Sequence, residues 1–234
     1  MSEGRASCAR KRPWSRHELL RVAPGFWTRV LAARSDLKAL PLLAGWPDRG
    51  WPVIVRRRIA NESLGSVPIG VPLPPAEGKL RIALSIPETA VLERAPPPSL
   101  LTVKRVADPA WRRTIDALVA LGARLSVVPA SFGSLLWQHQ TGLRYLSRQS
   151  DLDVLWYPLH GCNIASLVAG IAAVERTAPT RIDGEIVLAD DGAVNWRELL
   201  AAMNEGKSSE VLVKSIDSVR LVNVSQLLNL RRVA

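Results

Sequence analysis

The chain has 234 residues, of which 47% are hydrophobic and 22% charged, enough for one large or two small domains with real cores and too apolar for a disordered chain. Its formal net charge is +10, most of it in the first third, which favours acidic partners (nucleic acid, a polyphosphate, an acidic protein) without choosing among them. Cys8 and Cys162 have no metal-type spacing and define no disulfide framework, so reduced thiols and a cytoplasmic enzyme are expected.

In chain order, Arg5, Arg10, Lys11, Arg12 and Arg16 come first, without the apolar run of a secretory signal, so no export is expected. Trp14, Trp27, Trp46 and Trp51 follow, with a strand-like run over 51–57; scattered tryptophans predict packing, not a base-stacking platform. Pro68, Gly70, Pro72, Pro74, Pro75 and Gly78 break regular structure before a predicted strand over 79–86. The boundary is therefore expected after residue 78, separating a basic amino-terminal domain (1–78) from a catalytic domain (79–234). Pro96, Pro97 and Pro98 predict a surface loop, and residues 109–123 a helix with Ile115, Leu118 and Val119 inward.

The next stretch carries the chemistry. Residues 125–128 read as a short buried strand, 129–132 as its exit, and 134–147 as a helix with Leu135, Leu136, Leu143 and Leu146 near helical period. Gly133 and Ser134 then sit at a helix N-terminus, where close backbone approach, a hydroxyl and unpaired amides favour phosphate. In a strand over 151–156, Asp151 and Asp153 share one face while Leu152 and Val154 turn to the core. Two carboxylates so close call for a hard cation, so Mg²⁺ held by Asp151 and Asp153 is expected to bind a triphosphate. A Gly-Ser cap or an Asp-x-Asp strand alone is common. Their order, strand, Gly-Ser, helix, Asp-x-Asp strand, points to phosphoryl chemistry.

A third acid is expected from a strand over 181–188, where Ile182, Gly184, Ile186 and Leu188 share one face and Asp183 and Glu185 the other. Asp183 is favoured and Glu185 is the fallback. Lys214 is either a pyrophosphate contact or a solvated lysine at a strand end; Arg144 and Arg197 suit phosphate and the bare surface equally. Residues 164–174 read as a buried helix too short to cross a bilayer. His17, His139 and His160 show no ligand or nucleophile-base spacing. No phosphate loop ends in Gly-Lys-Ser/Thr and no dinucleotide glycine fingerprint occurs, which removes kinase and dehydrogenase readings.

The runs Ser131 to Gln138, Thr141 to Leu146 and Ser150 to Asp153 resemble the phosphoribosyl-dephospho-CoA transferases of malonate decarboxylase, also called malonate decarboxylase holo-acyl-carrier-protein synthases. Arg181 to Glu185, Ala193 to Leu199, Val211 to Lys214 and, upstream, Gly50 to Arg57 extend the likeness over most of the chain. The resemblance implies an α/β (α+β) fold, a nucleotidyltransferase-like mixed sheet with flanking helices plus a smaller amino-terminal domain. It also implies transfer from 2′-(5″-triphosphoribosyl)-3′-dephospho-CoA to a serine of the acyl-carrier subunit, with release of pyrophosphate. The family's Asp-x-Asp falls on Asp151 and Asp153; Asp183 rests on the strand argument. Membrane and nucleic acid are then not the expected partners. Another Mg-dependent nucleotidyltransferase, acting on RNA, protein or a small molecule, would use the same acids with a different donor pocket. A non-catalytic basic binding module would leave those acids dispensable.

Overall fold

The computed structural model describes residues 14–37, 40–159, 161–206 and 208–229. The expectations attached to Cys8, His160 and the basic residues from Arg5 to Arg12 lie outside them. The described residues form an α+β protein built on two sheets.

The first sheet is antiparallel, in the order β4-β3-β2-β1-β5, from β1 (Leu19–Val22), β2 (Val53–Val55), β3 (Ser66–Pro72), β4 (Arg81–Pro87) and β5 (Val91–Ala95). Helices α1 (Pro24–Ala32) and α2 (Pro41–Ala44) each begin at a proline, where the missing N–H would have no helical partner anyway. Trp27 and Trp46 are buried in this core, and each indole N–H is satisfied, by the carbonyls of Leu43 at 2.8 Å and Pro52 at 2.9 Å. Burial with a satisfied N–H is what the packing role of these tryptophans requires.

The boundary expected after residue 78 falls inside the β3–β4 hairpin and is corrected here. Pro68, Gly70 and Pro72 belong to β3, paired with Ser85, Ala83 and Arg81. Prolines are tolerated there because β2 is only three residues long: Pro68 lies past its end and Pro72 closes the strand. The change of sheet comes after Ala95. Pro96 to Pro98 carry the chain across; Pro97 is buried and the Pro98 carbonyl accepts the Ser131 N–H at 2.8 Å, so this is a packed connection and not the surface loop expected.

The second sheet runs β11-β10-β9-β8-β7-β6, from β6 (Val127–Ser131), β7 (Leu152–Pro158), β8 (Ile182–Val187), β9 (Ala193–Asn195), β10 (Glu210–Lys214) and β11 (Val219–Asn223). Only β7 and β8 pair in parallel among the described strands. The helices of this half are α3 (Leu100–Val103), α4 (Arg112–Leu125), α5 (Gly133–Thr141), α6 (Ile164–Glu175), α7 (Trp196–Glu205) and α8 (Val224–Asn229). Ile115 and Leu118 of α4, Leu167, Val168 and Ile171 of α6, and Trp196 and Leu199 of α7 share one core with Leu152, Val154, Trp156, Ile182 and Ile186 of the sheet. Strand alternation therefore sends Asp153, Asp183 and Glu185 to the opposite face. Pro129 lies within β6, not beyond it, as is tolerated in a strand at the edge of the sheet. Among the described residues no helix is long and apolar enough to cross a membrane.

Helix α5 belongs to both halves. Its Leu135 lies in the core of the second sheet, whereas Leu136 and Trp137 lie in that of the first, Trp137 with its ring centroid 6.1 Å from that of Trp46. It is also shorter than the helix expected over 134–147. Gly142, at φ 72°, ends it after Thr141, and Leu143 and Leu146 continue in an irregular segment.

Candidate active site

The parallel register of β7 and β8 places Asp153 directly beside Asp183. Gly184 makes this pairing possible: at φ 148° it brings its α-carbon so near the Val154 carbonyl that a β-carbon would overlap it. Asn195 steadies the outer acid, its Nδ2 donating to Asp183 Oδ1 at 3.1 Å.

Asp153 also meets the start of α5. Phe132 offers no side-chain cap to the helix. The Asp153 carboxylate takes that place, accepting the Ser134 backbone N–H, while the Asp153 carbonyl accepts the Phe132 N–H at 3.3 Å. Gly133, at φ 63°, lets the carboxylate in; a β-carbon there would occupy the carboxylate's own space. The Gly-Ser turn expected to cradle phosphate thus holds an acid of the same site. Burial pushes the Asp153 carboxyl up to about 7, with the charges of Asp183 and then Asp151 adding to it. The Ser134 amide and the positive charge of Arg81 pull the other way.

Asp151 lies at the entrance of β7, partly exposed, and leans toward Arg181, with Nη1 and Oδ2 3.8 Å apart. The acids expected to share one patch, Asp151 and Asp153, are thus joined less closely than Asp153 and Asp183. Among the described residues no group of three or more His, Cys, Asp or Glu side chains is gathered tightly enough to hold an ion. The pair Asp153 and Asp183 still suits a hard cation: both offer only oxygen, and their mutual repulsion is what a cation relieves. Magnesium is commonly held by one or two carboxylates, with phosphate and water completing its shell.

Glu185, the fallback third acid, is committed elsewhere. It accepts Arg16 Nη2 at 3.2 Å and lies 3.1 Å from His17 Nε2, all three side chains being largely buried. Burial alone would raise its carboxyl, but the His17 hydrogen bond and the Arg16 charge outweigh that and bring it down to about 2. Burial lowers the His17 imidazole, with the Glu185 hydrogen bond pulling the other way. This cluster ties the start of the first half to the second sheet. Arg58 repeats the link at Asp217, 2.8 Å away.

Lys214 is set apart from the carboxylates. It shares their sheet face, but the register puts it four residues further along and two strands across from Asp183, roughly 16 Å from strand spacing alone. The backbone of Lys214 is thus remote from the pair along the same face. Arg197 is structural: its guanidinium bonds Glu175 and the Ile182 carbonyl, the latter at 2.9 Å.

Arg81 is the residue that sequence reasoning missed. It opens β4 opposite Pro72, whose carbonyl accepts the Tyr145 hydroxyl at 2.9 Å, so the β3–β4 hairpin reaches the segment after α5 and brings a cation to Asp153. No sequence signal marks it, because the link is made only by tertiary packing.

A two-sheet α+β enzyme of the transferase class is what fold, site and relatives define together. Residues 99–225 match the family model described as phosphoribosyl-dephospho-CoA transferase MdcG C-terminal domain, and residues 15–97 the corresponding N-terminal domain. A relative from Bradyrhizobium diazoefficiens, named phosphoribosyl-dephospho-CoA transferase, is 45% identical over 218 residues, covering 93% of this chain and 94% of its own. One of the same name from Xanthomonas campestris is 37% identical over 198 residues, 84% of this chain and 91% of its own. The chain belongs to the phosphoribosyl-dephospho-CoA transferase family. No solved structure matches it.

Proposed function

We propose that the protein transfers the 2′-(5″-phosphoribosyl)-3′-dephospho-CoA group from its triphosphoribosyl donor to a serine of the apo acyl-carrier subunit of malonate decarboxylase, releasing pyrophosphate. The observation that carries this reading is the Asp153–Asp183 pair set against the start of α5 in a chain of this family.

In this reading the serine oxygen attacks the donor α-phosphorus, the bond to pyrophosphate breaks, and the serine proton leaves to a carboxylate or to water. Asp153 and Asp183 would hold Mg²⁺, with Asp151 at the rim. When bound, the ion neutralises charge on the triphosphate and on the departing pyrophosphate. Gly133 and the Ser134 amide fix the Asp153 carboxylate, and Asn195 fixes that of Asp183, so that both acids are oriented before substrate arrives. Arg81 is near enough to act on the charge of Asp153, and its positive charge suits donor phosphate.

The test is to incubate the protein with Mg²⁺, the donor and apo carrier subunit and to weigh the carrier. A mass gain equal to the phosphoribosyl-dephospho-CoA group is expected. An unmodified carrier, with intact donor and folded partners, overturns the assignment. If nucleoside triphosphates replace the donor and label another acceptor, a different nucleotidyl transfer takes its place.

A further inference from the structure

A groove of about 670 Å³ opens beside the C-terminal end of α5, lined by Trp111, Gln138, Leu143, Arg144, Leu146 and Arg148 among others. This falls within the range of about 300–1,000 Å³ usual for small-molecule sites. Its wall is firmly built: Gln138 Oε1 accepts the amides of Tyr145 at 3.2 Å and Leu146 at 3.1 Å, and its Nε2 donates to the Val106 carbonyl at 2.7 Å. The acid in the lining, Asp108, is turned to the Ala110 amide at 2.9 Å. Arg144 and Arg148 are exposed, and neither has an ion pair or side-chain hydrogen bond among the described residues. Because α5 stops at Thr141, Arg144 is not on a helical surface but on the rim of this groove.

A short stretch of chain joins the rim of the groove to the first of the carboxylates. Ser147 and Ser150 close a turn, the Ser150 N–H to the Ser147 carbonyl at 3.1 Å and the Ser147 N–H to Ser150 Oγ at 3.0 Å. Arg148 is three residues from Asp151, roughly 10 Å along the chain at most.

We propose that this groove is the subsite for the dephospho-CoA body of the donor, with Arg144 and Arg148 on its diphosphate; this rests on the transfer reaction proposed above. The donor reacts at one end, and two linked riboses separate its α-phosphorus from the CoA diphosphate. A site for it therefore needs cationic groups some distance from the carboxylates, bordered by apolar surface. Two unpaired guanidiniums match a diphosphate in charge, and the planar fork of each suits phosphate oxygens. Trp111, Leu143 and Leu146 provide the apolar border.

Calorimetry with dephospho-CoA itself, on the full chain, tests the subsite without requiring transfer. The wild type is expected to bind, the Arg144→Gln/Arg148→Gln variant at least tenfold more weakly, and Arg113→Gln, outside the groove, like the wild type. Arg144→Lys/Arg148→Lys, which keeps the charge and loses the planar fork, is expected between them. In the transfer assay the glutamine variant is expected to raise the donor KM at least tenfold with kcat within threefold. Equal dephospho-CoA affinity in the wild type and the glutamine variant, or no binding by the wild type, overturns the subsite. Arginine-dependent binding by a protein that leaves the carrier unmodified keeps the subsite and rejects the acceptor. Transfer with unchanged donor KM in the glutamine variant rejects the subsite and keeps the reaction.

Discussion

Gly133 and Asp153 approach so closely that a β-carbon at 133 would displace the carboxylate. Gly133→Ala therefore moves the acid and also places alanine at φ 63°, costing about 1–2 kcal/mol of stability. A fall in kcat of about 100-fold is expected from the shifted carboxylate. Urea unfolding and transfer kinetics on the same preparation check both.

Asp153→Asn keeps the shape of the acid and removes its charge. In chelator, relief of the repulsion from Asp183 is expected to raise Tm by about 2–4 °C, as a gain near 1 kcal/mol does in a chain of this size. Activity is expected to drop by about 10²–10³-fold, as on removal of one electrostatic group. Added Mg²⁺ should raise the wild-type Tm and leave that of the variant unmoved. A variant that responds to Mg²⁺ like the wild type would place the metal elsewhere.

Glu185 and Asp183 separate cleanly by substitution. Glu185→Gln leaves the buried Arg16 without a charged partner, so a loss of about 1–3 kcal/mol is expected with activity of the folded fraction within a few-fold of wild type. Asp183→Asn should show the reverse pattern, a stable and inactive protein. If Glu185→Gln abolishes transfer at full stability, the third acid is Glu185.

Arg81 is exposed, so Arg81→Gln is expected to change stability by no more than about 0.5 kcal/mol. Its effect belongs in the donor kcat/KM, which should fall by about 10-fold through loss of one charge-assisted contact. Steady-state kinetics beside a melting curve distinguish this from a folding defect.

Glu62 predicts a pH dependence away from the site. The hydrogen bond from Arg56, helped by the Ile59 amide at 2.9 Å and Ser85 Oγ at 2.7 Å, holds its carboxyl at about 2, below the ordinary 4.5. A folded value below the unfolded one stabilises at pH above about 4.5 and is lost as pH falls toward 2. Glu62→Gln should therefore cost about 1–3 kcal/mol at pH 7 and progressively less below pH 4.5. A constant penalty from pH 7 to pH 3 would rule this out.

Much of the second half was legible because its signals are local. Period-two alternation set Asp153 and Asp183 on a face away from Leu152, Val154 and Ile182, and the short apolar run at 164–174 became α6, which buries one face through Ile164, Leu167, Val168 and Ile171 and leaves Ser166, Ala169 and Ala173 exposed. The failures share one cause. Pro68 and Pro72 read as breakers because local chemistry does not show that their neighbour β2 is three residues long. Arg81 was invisible because its relation to Asp153 exists only once the β3–β4 hairpin reaches the segment after α5. Glu185 shares the alternation of Asp183, and its pairing with the distant Arg16 and His17 carries no local signal.

The divided loyalty of α5 bears on exchange between relatives. Leu135 and Trp137 are two positions apart on one helix yet are interior to different halves. Exchanging either half between relatives would unseat an indole and, with it, the backbone that steers Asp153. The two family regions are therefore expected to work only as a matched pair, and chimaeras between relatives to be less stable than either parent.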